Sequence, residues 1–86
     1  MVAYKVIAMI DTKIHHFTWG QTVRLRTNPY VAERAGSLAE VCDIAPIQTA
    51  KHAQSVFGGS IGEVAYLIEF GDGVAIEVMG DLLEGA

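Results

Sequence analysis

Apolar and polar positions alternate most regularly between residues 64 and 78, "VAYLIEFGDGVAIEV", which reads as two strands folded about Gly71-Asp72-Gly73. Faces decide the register. A three-residue loop sets Phe70 against Val74, Ile68 against Ile76 and Tyr66 against Val78, with all six on one face. A two-residue loop sets Ile68 against Glu77 and Glu69 against Ile76, which buries charge or exposes isoleucine. The longer loop is therefore expected, with Gly73 at positive φ and a bulge beside it. The second face then carries Ala65, Leu67, Glu69, Ala75, Glu77 and Met79. Four of these six positions are apolar, so a neighbour is expected to cover part of the face.

Elsewhere the pattern is less regular. In residues 2–14, "VAYKVIAMIDTKI", Val6, Ile7, Ile10 and Ile14 lie on a helical stripe that Phe17 continues, whereas the Val, Ile and Tyr content and the missing N-cap favour strand. Gly20-Gln21 reads as a turn, after which Val23 and Leu25 alternate with Arg24 and Arg26 in a half-buried strand. Asn28-Pro29 ends that strand, and a polar connection runs to Gly36. "SLAEVCDIAPI" is a second strand, stopped near Pro46. There the spacing of Leu38, Val41 and Ile44 points to a bulge or bend near Ala39 and Glu40. In the connection 47–62, residues 48–57 form a helical turn or a loop, with Thr49 as candidate cap and Gly58-Gly59 as stop. Gly80 and "DLLE" are expected to make a terminal turn that tucks Leu82 and Leu83 against the core.

Composition sharpens this picture. With 86 residues the chain is expected to be one domain, and a domain this small has marginal burial. Cys42 is the only cysteine, so no intrachain disulfide adds to it. A hydrophobic content of 51% and a mean hydropathy of +0.32 make oligomerisation the expected source of extra burial. No apolar run approaches the roughly 20 residues of a membrane span, and no leader pattern is present, so a cytoplasmic protein is expected. The net charge of −4 hides an asymmetry. Residues 1–35 hold five basic and two acidic side chains (+3), and residues 36–86 hold one basic and eight acidic (−7). Such halves can pair internally, or across a subunit boundary, and the acidic total disfavours nucleic acid as a partner.

Four or five short strands with a bent second strand, within about 70 residues, predict a mainly β fold, a small barrel closed on itself. "GQTVRLRTNPYVAERAGSLAEVCDI" followed by "AYLIEFGDGVAIEVMGDLLE" resembles an SH3-like barrel, and specifically an uncharacterised family of short bacterial proteins, many carried by mobile elements and integron cassettes. The resemblance covers residues 20–84 and implies an SH3-like domain over 20–86 behind an N-terminal extension, 1–19, of strand or helix. Two features depart from the family. Ala39 stands where glycine is common, and the 47–62 connection is longer than usual.

Candidate chemistry is sparse. His15 and His16 are adjacent and share no diagnostic spacing with His52 or a carboxylate, so no metal site is expected. Cys42 reads as a small buried hydrophobe, and Asp43 beside it would raise its thiol pKa, so no catalytic role is assigned. "GGSIG", residues 58–62, lacks the Lys-Ser/Thr end of a phosphate loop. Arg24 and Arg26, two apart on one strand face, are candidate anion contacts, and the competing reading pairs them with Glu40, Glu69 or Glu77. Phe17, Trp19 and Tyr30 are candidate walls of a shallow ligand groove or closures of one end of the core.

These features favour a non-enzymatic, homo-oligomeric binding module without a cofactor. Its expected interface is Ala65, Leu67, Ala75 and Met79, rimmed by Glu69 and Glu77 facing a neighbour's arginines. The alternatives are a nucleic-acid-binding domain, a dedicated protein partner, or an oligomeric enzyme similar to type II dihydrofolate reductase. That enzyme's Val-Gln-Ile-Tyr pore motif has no counterpart here, and the glutamate of "VAIEV" would repel its anionic cofactor.

Overall fold

The computed structural model describes residues 16–86. The strand-or-helix reading of 2–14, most of the 1–19 extension and His15 lie outside the described residues. The fold is mainly β. Strand β1 (Thr22–Leu25) leads through a 3₁₀ turn (Ala32–Arg34) to β2 (Leu38–Pro46) and helix α1 (Ala50–Ser55). Strands β3 (Val64–Phe70) and β4 (Ala75–Met79) follow, then a second 3₁₀ turn (Gly80–Leu82) and β5 (Leu83–Gly85). The strands form one antiparallel sheet in the order β4-β3-β2-β1-β5.

The hairpin has the expected register. Tyr66 pairs with Val78 and Ile68 with Ile76, and the Phe70 N–H donates to the Val74 carbonyl at 2.9 Å. Gly73, at φ +89, donates to the Phe70 carbonyl and closes the three-residue loop. Tyr66, Ile68, Phe70 and Val78 enter the core, whereas Val74, beside the loop, stays exposed. The rest of the core comes from alternate residues of the other strands: Val23 and Leu25, Ala39 and Val41, and Leu83. Burying each of the larger side chains stabilises the fold by about 1.5–3 kcal/mol.

Three expectations are corrected. The sheet does not close into a barrel: among the described residues no ladder joins β4 to β5. Phe57 lies along the outer edge of β4 instead. Its N–H donates to the Glu77 carbonyl (2.9 Å) and its carbonyl accepts from Met79 N–H (3.2 Å), so it takes groups a closing strand would use. Second, the bend in β2 sits at Cys42, where the register shifts between Val41 and Asp43. Leu38 points out, Ala39 and Val41 point in, and the extra residue brings Ile44 back against the core. Third, the chain end is more than a turn, because Leu83–Gly85 pairs with β1.

The 47–62 connection forms a real helix. Thr49 caps it, its Oγ1 accepting from His52 N–H at 3.0 Å. The connection carries its own small core, Ile47 and Val56 with Ala65 and Met79, and Ala53 of α1 packs against it. Gly59 is required there, because a Cβ would run into the Ala53 carbonyl.

Candidate interaction surface

Strand alternation separates an inner face from an outer one. The outer face follows from the register. Glu40 stands opposite both Thr22 and Glu69, and Glu69 opposite Ala75, which makes one row. The next row is Leu38, Arg24 and Glu84. On the other side Leu67 lies between Asp43 and Glu77. Leu38 is 49% exposed, Leu67 is half-buried, and Glu40 and Glu69 are exposed.

The chain covers one corner of this face itself. Ala65 and Met79, expected at an intermolecular contact, are buried in the second cluster beside α1. Glu77 is half-covered, its Oε2 3.2 Å from Nε2 of His52 on α1. Leu67, Glu69 and Ala75 keep their outward positions.

Arg24 and Arg26 lie side by side, and their acidic partner is Glu84 across the β1–β5 ladder, not Glu40, Glu69 or Glu77. Arg24 Nη1 donates to the Gly36 carbonyl and Arg26 Nε to the Leu83 carbonyl, each at 3.0 Å. Glu84 stands farther off, at 3.9 Å from Arg24 Nε and 3.8 Å from Arg26 Nη1. The two arginines, Thr27, Gly36 and Glu84 line a shallow depression of about 410 Å³. One carboxylate between two guanidiniums leaves net positive charge and unused N–H donors there.

The three candidate groove aromatics meet different neighbours. Phe17 packs edge-on against Tyr66, ring centroids 5.4 Å apart, over the core. Trp19, in the turn before β1, is 69% exposed. Tyr30 meets Phe57 with ring centroids 6.4 Å apart, and Tyr30, Met79 and Leu82 side chains border the space a Cβ on Gly58 would enter. Sequence reasoning missed Phe57 because it sits in an irregular connection, and missed the outward Leu38 and Glu40 because the β2 bulge disguised the alternation.

Cys42 is exposed at the bulge, a correction to its expected burial. Its Sγ lies 3.6 Å from the Glu40 carbonyl and 3.6 Å from Glu69 Oε1. Local desolvation, then the hydrogen bond and charge of Glu69, push its pKa up, the wrong direction for a nucleophile. Among the described residues no helix is long and apolar enough to cross a membrane. No protein-family model, curated protein or solved structure matches the chain.

Proposed function

We propose that the chain is a non-enzymatic interaction module of SH3-like type that assembles with copies of itself through the outer face of its sheet. The observation that carries this reading is the Glu40–Glu69 pair. Two glutamates stand directly opposite each other on adjacent strands, both exposed, with Leu38 and Leu67 nearby. Like charges in that position destabilise a lone sheet. Among the described residues neither has an ion-pair partner. A covering copy that supplies cations and apolar contact relieves both defects.

The strand order, with a 3₁₀ turn between β4 and β5, supports the SH3-like part of the proposal. The non-enzymatic part is supported by the setting of the Cys42 thiol, 3.6 Å from the Glu69 carboxylate, which disfavours the thiolate a nucleophile needs. Multi-angle light scattering at about 50 µM, a concentration at which a micromolar association is populated, tests it. The expected mass is a multiple of the 9.2 kDa chain, and a clean monomer overturns the reading.

A further inference from the structure

We infer that a second copy docks face to face about a two-fold axis beside Leu38, so that Glu40 and Glu69 of each copy enter the Arg24–Arg26 depression of the other. The inference rests on the oligomeric reading above and adds which residues meet.

The register supplies the geometry. Arg24 on β1 and Arg26 just past its end project about 7 Å apart, twice the rise per residue of extended chain. Glu40 and Glu69 project from neighbouring strands with Cβ atoms about 5 Å apart. Both pairs belong to the same outer face, and Leu38, the neighbour of Arg24 on β2, lies between them. An axis lying in the interface and passing beside Leu38 exchanges the two patches. Leu38 then meets Leu38 of the second copy, and the arginines of each copy lie over the acids of the other. Exchange within one shared face closes the assembly at two copies.

Charge supplies the reason. Each arginine is held in place by one N–H on a backbone carbonyl, and both share Glu84 at a distance longer than a hydrogen bond. The depression is therefore preformed and underneutralised. The acid pair is its complement: two glutamates on paired ladder positions, neither with an ion-pair partner among the described residues. Docking gives the guanidiniums carboxylate acceptors and removes the Glu40–Glu69 repulsion on both copies.

Charge exchange tests this. Arg24→Glu/Arg26→Glu and Glu40→Arg/Glu69→Arg double variants alter only exposed outer positions, and circular dichroism checks their folding. Light scattering should find twice the 9.2 kDa chain mass for the native protein. Each variant alone should dimerise at least about tenfold more weakly, and an equimolar mixture should recover a heterodimer. Variants that stay dimeric, or a mixture that stays monomeric while the native chain dimerises, overturn the inference and leave the oligomeric reading standing. A native monomer overturns both, and a larger native assembly overturns the two-fold. Should either double variant fail to fold, Leu38→Asp decides, since a dimer unaffected by a charge at the axis contradicts the geometry.

Discussion

Arg34, in the turn between β1 and β2, grips Asp72 at the tip of the β3–β4 hairpin through two parallel contacts, Nη2 to Oδ2 at 2.9 Å and Nη1 to Oδ1 at 3.3 Å. The same guanidinium lies 4.6 Å over the Phe70 ring. Two segments far apart in sequence are thus tied at the surface. The Arg34 hydrogen bonds, then the Val74 N–H, hold the Asp72 carboxyl below the usual carboxylate range, and the Arg34 pKa is raised in turn. A depressed folded-state pKa gives stability that is present above the unfolded value and lost as pH falls through the folded one. Urea unfolding from about pH 7 down to about pH 2 should show Asp72→Asn less stable than the native chain at neutral pH, with the gap closing in acid. A gap that does not change with pH means the ion pair contributes nothing.

Asn28 is buried and holds the loop that carries Tyr30. Its Oδ1 accepts from the Tyr30 and Val31 N–H groups at 2.9 and 2.7 Å, and its Nδ2 donates to the Arg26 carbonyl at 2.8 Å. Asn28→Ala leaves these backbone groups unpaired in a site with little water. The expected loss is about 1–3 kcal/mol in urea unfolding. A loss of a few tenths would mean that the loop repacks freely.

What the sequence disclosed, and what it hid, follows from the range of each cause. The hairpin register was readable because one slip would have moved Ile68 and Ile76 off the core face. The Thr49 cap was readable because capping is local to four residues. The charge asymmetry left pairing within the chain or across a subunit boundary open; Arg34–Asp72 and the Glu84 contacts are the internal kind, and no local rule names Glu84 as the partner. Strand β5 was hidden because three residues have no period to detect. The covering of Ala65 and Met79 was hidden because it depends on where α1 folds back, a tertiary fact. Those two positions are therefore covered by the chain itself, whereas Leu38 and Glu40 stand exposed on the same face.

Gly59 is a packing constraint distinct from a turn requirement. An added Cβ meets the Ala53 carbonyl and lies 2.9 Å from the Val56 Cβ, in backbone that cannot yield without moving α1. Gly36, at φ +88, has open space around the same atom. Gly59→Ala should therefore cost about 1–3 kcal/mol through overpacking, and Gly36→Ala nearer 1 kcal/mol through backbone conformation alone. The two also differ in place. Hydrogen exchange should quicken around α1 for the first variant and around the β1–β2 turn for the second. The reverse assignment contradicts this packing.

Cys42 is reachable by solvent yet held in its protonated form. Desolvation contributes most to raising its pKa, and the contact with Glu69 Oε1 adds to it. Alkylation by iodoacetamide needs the thiolate, so its rate against pH should show a midpoint above that of an ordinary cysteine. Glu69→Gln removes the charge and keeps the shape. It should shift the midpoint down without restoring the ordinary value, because the larger cause, desolvation at the bulge, remains. An unchanged midpoint in the variant means that Glu69 does not act on the thiol. A full return to the ordinary midpoint means that the bulge does not desolvate it.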